Sequence, residues 1–158
     1  PNAPDAKPVG WSEELATPHE QRKMRILAAE DNKTNQLVFR KMVKNLDIDL
    51  VFANDGLEAV KQYQSFEPDL IFMDISMPRM DGKEATGEIR KLEEISGDHV
   101  PIVALTAHAM DGDDQGILQA GLDHYLTKPL RKPEIMDRIT HHAPAHVLPP
   151  IPKEAEAG

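Results

Sequence analysis

The sequence of 158 residues contains no cysteine, few aromatic residues and fewer basic than acidic side chains. The absence of cysteine excludes disulfide bonds and thiolate metal sites. With 18 basic and 27 acidic residues, the formal charge is −9 at pH 7. This charge opposes direct binding to nucleic acid or to an anionic membrane, because lysine and arginine clusters hold those partners. A metal cation or a basic protein partner is easier to accommodate.

Other absences bear on location and on nucleotide binding. No apolar run approaches the roughly 20 residues of a membrane helix, and there is no signal-peptide pattern. We therefore expect a cytoplasmic protein that makes no membrane contact through this segment. The sequence has neither a G-x-G-x-x-G nor a Walker-type phosphate loop, which argues against a nucleotide-binding domain. It also begins without Met, which favours an excised segment of a larger protein.

Apolar runs and helical spacing predict one domain between two flexible segments. Residues 1–23 carry prolines and scattered charges, which predicts a flexible N-terminal linker. From residue 24 to residue 142, strand and helix patterns alternate five times, as in a parallel α/β sheet with helices on both faces. Residues 143–158 are proline-rich and are predicted to form a flexible C-terminal tail. In the first predicted helix, the apolar residues that recur at helical spacing are Leu37, Val38, Met42 and Leu46.

The most informative stretch is the apolar run 70–73, which ends on Asp74. A charge at the end of a buried strand is costly unless it has a use. Polar residues also end three other predicted strands, and in a parallel sheet these ends share one rim. The rim residues are Glu30 and Asp31, Asp74, Thr106, and Lys128.

The chemistry of these side chains points to phosphoryl transfer. Two carboxylates ~4 Å apart repel by about 4 kcal/mol at an effective dielectric constant near 20, so three acids favour a cation. Oxygen ligands suit Mg²⁺. Asp74 offers a nucleophile, while Lys128 and Thr106 offer an ammonium and a hydroxyl for phosphoryl oxygens.

Four motifs together resemble the receiver domain of two-component response regulators over about residues 24–142. They are Ala29-Glu30-Asp31-Asn32, Asp74 with Met77-Pro78-Arg79-Met80-Asp81-Gly82, Leu105-Thr106-Ala107, and Lys128-Pro129. The resemblance implies a flavodoxin-like (βα)5 fold, a doubly wound parallel sheet with strand order 2-1-3-4-5. It also implies that Asp74 is phosphorylated by a phosphohistidine donor, with Mg²⁺ held by Glu30, Asp31, Asp74 and the backbone carbonyl of Ser76.

Further roles follow from the same resemblance. Thr106 and Lys128 would contact the phosphoryl oxygens, and the Lys128-Pro129 peptide would be cis. Thr106 and Tyr125 would act as the switch pair, although an aromatic residue in a strand is as often a packing residue. The partner would be a histidine kinase or a histidine phosphotransfer protein, and a surface of the fourth helix, fifth strand and fifth helix would change on phosphorylation.

The sequence leaves several alternatives open. Its motifs look most like receivers attached to hybrid sensor histidine kinases, but a free-standing single-domain response regulator is also compatible. A receiver catalyses its own phosphorylation and dephosphorylation without being a turnover enzyme. A metal-dependent phosphatase with an aspartyl-phosphate intermediate is less favoured, because Ser76 stands where such enzymes need an acid. A degenerate receiver used only for docking is opposed by the presence of every expected group, and the oligomeric state stays open.

Overall fold

The computed structural model describes residues 21–107 and 113–150, with the backbone alone for residues 113–115. Five strands alternate with five helices along the chain. The strands are β1 (Met24–Ala29), β2 (Ile48–Ala53), β3 (Leu70–Asp74), β4 (Ile102–Thr106) and β5 (His124–Thr127). The helices are α1 (Lys33–Met42), α2 (Gly56–Phe66), α3 (Gly82–Ser96), α4 (Asp113–Gln119) and α5 (Lys132–His141).

The strands form one parallel sheet in the order β2-β1-β3-β4-β5. This arrangement confirms the predicted doubly wound fold with strand order 2-1-3-4-5. Its register aligns the carboxyl ends of neighbouring strands, since Ala29 lies opposite both Ala53 and Met73. Asp74 likewise lies opposite Leu105, at the end of the next strand. The residues that follow these strands therefore meet at one rim of the sheet.

Apolar side chains alternate between the two faces of the sheet and form a core on each. Leu27 and Ile71 pack on the face covered by α2, α3 and α4, whereas Ile26 and Phe72 pack on the face covered by α1 and α5. All five residues of β3 are buried, as expected for a central parallel strand. In the part of the chain described here, no helix has the length and apolar character to span a bilayer.

Capping residues place the helices directly after the rim. The Asn32 side chain accepts a hydrogen bond from the Asn35 backbone amide at 3.0 Å and begins α1. Asp55 caps α2, and Asp81 forms a capping box with Glu84 at the start of α3. A side-chain oxygen at the N-cap, the residue just before the first turn, accepts a hydrogen bond from a backbone amide that has no partner within the helix.

Helix α1 is rotated relative to the apolar positions used to predict it. Leu37 and Val38 are 51% and 42% exposed, whereas Gln36 and Phe39 are buried. Phe39 contacts Phe72 of the central strand edge to face, with ring centroids 5.2 Å apart. The predicted helix is present, but Leu37 and Val38 do not form its buried face, because the aromatic ring of Phe39 packs there.

The chain after α5 packs against the domain as far as residue 150. Val147 is buried in the core on the α1 and α5 face and pairs with Arg22 as an isolated parallel bridge. The Leu148 amide donates to the Arg22 carbonyl at 2.8 Å, and the Asp47 amide donates to the Pro150 carbonyl at 2.7 Å. The packed chain thus extends beyond the predicted limits at residues 24 and 142. The rest of the predicted linker and tail, residues 1–20 and 151–158, lies outside the described residues.

Candidate functional site

Three acids converge where β1 and β3 end. Glu30 follows β1 directly and Asp74 ends β3, and each residue is only 4% exposed. Asp31 is exposed at the mouth of the same site. One carboxylate oxygen of each residue lies within 4.8 Å of those of the other two. The structure thus brings together the three acids that the sequence placed at the rim.

Lys128 reaches this acidic group from the loop after β5. Its ammonium lies 3.1 Å from Asp74 Oδ2 and 3.4 Å from Glu30 Oε1. Its backbone amide donates to the Thr106 carbonyl at 2.8 Å, which holds the loop against the end of β4. The Lys128-Pro129 peptide is cis, as the sequence resemblance implies.

The protonation of these groups reflects burial and mutual charge. Burial raises the pKa of Glu30, the Asn32 amide lowers it through a hydrogen bond, and the negative charge of Asp74 raises it further. Burial lowers the pKa of Lys128, but the carboxylates of Asp74 and Glu30 outweigh burial and raise it overall. The site therefore keeps a positive ammonium and favours additional positive charge.

Thr106 and Tyr125 lie on the two strands beyond Asp74. Thr106 is buried at the end of β4 and lies opposite Thr127 in the sheet register. Tyr125 is 38% exposed on the edge strand β5. Tyr125 is thus partly accessible at the surface, and the switch role of the pair stays a prediction.

The loop between β3 and α3 forms one wall of the site. The backbone amide of Ser76 donates to Asp74 Oδ1 at 3.1 Å and so orients the carboxylate. A cavity of about 510 Å³ opens beside the acids. It is lined by Asp31, Ile75, Ser76, Met77, Pro78, Asp81 and Lys83. Asp81 and Lys83 were not predicted as part of the site.

The chemistry of the three acids suits magnesium. Within residues 21–107 and 113–150, Glu30, Asp31 and Asp74 are the one group of three or more acidic, histidine or cysteine side chains spaced to share an ion. All three offer carboxylate oxygens, and Mg²⁺ prefers oxygen ligands. The residues present therefore fit Mg²⁺ better than a metal that favours nitrogen or sulfur.

A second layer of polar side chains surrounds the acids and was missed by sequence reasoning. Gln36 and Asp55 are buried within this layer, and Asn54 and Arg79 hydrogen-bond to them. The spacing of apolar residues gave no signal for Gln36, because it does not show which face of α1 is buried; once buried, a polar group is hydrogen-bonded as a rule. Their partners depend on side-chain geometry that the sequence does not reveal.

Comparison with known proteins identifies what this arrangement is similar to. A family model described as response regulator receiver domain matches residues 26–140. The chain is 42% identical over 111 residues to hybrid signal transduction histidine kinase I of Dictyostelium discoideum, covering 67% of this chain and 6% of that kinase. It is 35% identical over 114 residues to the polar-differentiation response regulator DivK of Brucella ovis, covering 72% of this chain and 91% of that protein.

Two solved structures share the fold, one with a bound metal ion and the other with a protein partner. One is the receiver domain of sensor histidine kinase PA1611 from Pseudomonas aeruginosa PAO1, with a magnesium ion coordinated in its active-site cleft. It is 39% identical, with a TM-score of 0.69 over 76% of this chain and 97% of that one. The other is the receiver domain of Saccharomyces cerevisiae Ssk1 in a co-crystal with the histidine phosphotransfer protein Ypd1. It is 33% identical, with a TM-score of 0.72 over 77% of this chain and 90% of that one.

Proposed function

The chain belongs to the family of response regulator receiver domains, and we propose that Asp74 accepts a phosphoryl group from a phosphohistidine. One observation carries this assignment. The Asp74 carboxylate is buried at a strand end, yet it faces the Lys128 ammonium and lies among two further acids. A buried charge is expensive unless it is paired, and here its partners are those that phosphoryl transfer requires.

Magnesium is the cofactor that this group of acids fits. Glu30, Asp31 and Asp74, with the backbone carbonyl of Ser76, would hold the ion. The PA1611 receiver, which shares the fold, was solved with magnesium in its cleft. When bound, Mg²⁺ would neutralise the negative charge of the transferring phosphoryl group.

In the transfer step, a carboxylate oxygen of Asp74 attacks the phosphorus of the phosphohistidine. A P–O bond forms, the P–N bond breaks, and its electron pair returns to the imidazole nitrogen. The Lys128 ammonium, which already contacts Asp74, pairs with a phosphoryl oxygen. The Thr106 hydroxyl donates to another phosphoryl oxygen. Both contacts stabilise negative charge on the phosphoryl group.

The phosphorylated state would differ at Tyr125. Its ring is partly exposed on β5, and a movement of the Thr106 side chain toward the phosphoryl group would open space at the end of β4. The ring then turns inward and changes the surface of α4, β5 and α5. Phosphorylation thereby shifts the population between two conformations that exist beforehand.

The partner is a histidine kinase or a histidine phosphotransfer protein. The structurally similar Ssk1 receiver was crystallised with Ypd1, a histidine phosphotransfer protein. On this chain, the exposed side chains of Leu37 and Val38 lie on α1, which begins two residues after Asp31. We assign this apolar patch as the docking surface for the phosphohistidine-bearing partner.

The surrounding protein could follow either of two architectures seen among relatives. The match covers 6% of the Dictyostelium hybrid kinase but 91% of the Brucella regulator. A receiver within a hybrid sensor kinase and a free-standing regulator would use the same acceptor site. The phosphatase alternative has no support at Ser76, because a hydroxyl cannot replace the required general acid.

The assignment is tested by treating the chain with a small acyl phosphate and Mg²⁺. Intact-mass spectrometry should show the addition of one phosphoryl group, and the Asp74→Asn variant should show none. The matched control is Asp81→Asn, which changes another acid lining the cavity and retains a good helix N-cap. Phosphorylation of Asp74→Asn at the wild-type level would refute the assignment.

A further inference from the structure

Two loops carry the proposed magnesium ligands, and a third loop connects them without contributing one. The β1–α1 loop carries Glu30 and Asp31, and the β3–α3 loop carries Ser76. The third loop is the β2–α2 turn, residues 54–56. Its side chains and backbone form hydrogen bonds to α1 and to the β3–α3 loop.

The first set of contacts runs from Asn54 to the peptide of Glu30. Asn54 Oδ1 accepts hydrogen bonds from Gln36 Nε2 at 2.9 Å and from Lys33 Nζ at 2.7 Å. Gln36 Nε2 also donates to the Glu30 carbonyl at 2.6 Å, and the Glu30 amide donates to the Ala53 carbonyl at 2.9 Å. Hydrogen bonds therefore fix both the backbone amide and the backbone carbonyl of Glu30, the residue whose carboxylate lies in the site.

The second set runs from Asp55 and Gly56 to the β3–α3 loop. Asp55 Oδ2 accepts a hydrogen bond from Arg79 Nε at 2.7 Å, and the Gly56 amide donates to the Met80 carbonyl at 2.9 Å. A Cβ atom at Gly56 would lie 2.2 Å from the Met80 carbonyl oxygen, so only glycine permits this approach. Arg79 itself has a left-handed backbone with φ of 63°. This loop conformation is thus fixed from the β2–α2 turn.

We propose that the β2–α2 turn positions the magnesium ligands on both neighbouring loops. Asn54 acts through Gln36 on Glu30 and Asp31, and Asp55 acts through Arg79 on the loop that carries Ser76. These four side chains are positioning residues that touch neither the ion nor the phosphoryl group. The inference rests on the proposed function, because it assumes that these loops hold Mg²⁺.

Magnesium makes such positioning consequential. Mg²⁺ demands near-octahedral geometry, so a small displacement of one ligand lowers its affinity. Loss of an outer-layer partner of a metal ligand typically weakens metal binding by roughly 10- to 100-fold. We therefore expect substitution of these residues to weaken the affinity for Mg²⁺ and to leave the rate of the chemical step unchanged.

The two test variants are Gln36→Leu and Arg79→Gln, titrated with Mg²⁺ by calorimetry as the purified full chain. We expect the Kd for Mg²⁺ to rise about tenfold or more in each. Arg79→Gln is the sharper test, because removal of a positive charge from the loop that carries Ser76 would by electrostatics alone tighten the binding of a cation. A weaker affinity in this variant would therefore point to displaced ligands rather than to the lost charge. The matched controls are the exposed α2 residues in Gln64→Leu and Lys61→Gln, which should bind as wild type does.

A second readout separates positioning from catalysis. With acyl phosphate, the Mg²⁺ concentration at half-maximal phosphorylation rate should rise in both variants, while the rate at saturating Mg²⁺ stays close to wild type. Unchanged affinity in both variants, or a lowered rate at saturating Mg²⁺, overturns the inference. The Arg79 side chain is 63% exposed, so Arg79→Gln remains informative if Gln36→Leu fails to fold. Failure of the wild-type chain to bind Mg²⁺ would instead refute the proposed metal site.

Discussion

At the scale of single residues, the site is a balance between two buried acids and one ammonium. Glu30 and Asp74 would repel each other in the folded chain, and Lys128 lies close to both. Removing one partner of a buried ion pair is strongly destabilising, because the remaining charge has lost its compensation. Because these contacts are ion pairs, the Lys128 ammonium can exchange one carboxylate oxygen for a phosphoryl oxygen.

This balance predicts the behaviour of Lys128→Gln. Without Mg²⁺, we expect the free energy of unfolding to fall by about 1–3 kcal/mol, since the two buried carboxyl groups lose a charged hydrogen-bond donor. Saturating Mg²⁺ should recover more stability in the variant than it adds to wild type, because the ion supplies the missing positive charge. Urea denaturation in EDTA and in Mg²⁺ measures both quantities.

The control for this prediction is Lys132→Gln, which removes an exposed lysine at the start of α5. It should change stability little in either condition. An equal loss of stability for Lys128→Gln with and without Mg²⁺ would contradict the proposed exchange of charge partners. Phosphorylation of Lys128→Gln at the wild-type rate would exclude Lys128 from the transfer step.

At the scale of secondary-structure elements, α1 presents apolar residues on two sides. Phe39 faces the sheet core, whereas Leu37 and Val38 are exposed on the outer side of the helix. An exposed apolar surface on the helix that begins two residues after Asp31 would suit a partner that brings its histidine close to Asp74. The helix therefore serves both the core and the proposed docking surface.

Replacement of Leu37 by Asp tests the docking role. We expect phosphotransfer from a phosphohistidine protein to slow by about tenfold or more, because loss of a central apolar contact costs more than 1 kcal/mol in many interfaces. Phosphorylation by a small acyl phosphate should be unchanged, because that donor needs no docking surface. The two rates are followed by loss of label from the donor and by intact mass.

Ile95→Asp provides the matched control, since Ile95 is a highly exposed apolar residue at the far end of α3. It should leave both rates at their wild-type values. If Leu37→Asp slows both donors equally, the substitution has disturbed the site and not the docking. If it slows neither, α1 is not the surface that the partner uses.

The fold and the acidic rim could be predicted because they depend on short-range patterns. Residues 70–73 form an apolar run that fits a strand buried on both faces, and the structure places β3 in the centre of the sheet. Because the carboxyl ends of parallel strands lie at the same edge of a sheet, the polar residues at these ends share one rim however the core packs. Asp74 and Lys128 meet there for that reason.

The rotation of α1 and the positioning contacts depend on features that sequence spacing does not contain. Leu37 and Phe39 are both apolar, and only packing against Phe72 decides which of them is buried. The bonds from Gln36 to the Glu30 carbonyl and to Asn54 join three separate elements. No local periodicity encodes such contacts. The cytoplasmic location and the roles of Thr106 and Tyr125 stay predictions.

At the scale of the whole molecule, the acidic rim and the segments packed around Arg22 and Val147 lie at opposite ends of the sheet. Arg22 precedes β1, and its guanidinium binds both carboxylate oxygens of Asp69, at 2.7 and 2.9 Å, just before β3. Val147 packs beside it, and the Pro150 carbonyl reaches the segment before β2. The segments on either side of the domain thus meet where the strands begin, away from Asp74.

Because Val147 and Asp74 lie at opposite ends of the sheet, we expect Val147→Ala to lower stability without changing phosphorylation. Truncating a buried valine should lower the free energy of unfolding by about 1–3 kcal/mol. Hydrogen exchange should quicken first at the amides of Leu148 and Asp47, which bond across this segment. Phosphorylation of Asp74 by an acyl phosphate should proceed at the wild-type rate, because Val147 packs where the strands begin and Asp74 lies where β3 ends.

Val38→Ala is the control for stability, because the same truncation at a partly exposed position removes less buried surface and should cost less. Equal destabilisation by the two variants would mean that Val147 contributes no core packing. Slower phosphorylation in Val147→Ala, with Mg²⁺ affinity unchanged, would show that the segment packed around Val147 and the acceptor site are energetically coupled. In that case a segment attached at either end could influence phosphorylation through the sheet, and the two ends of the sheet would not be independent.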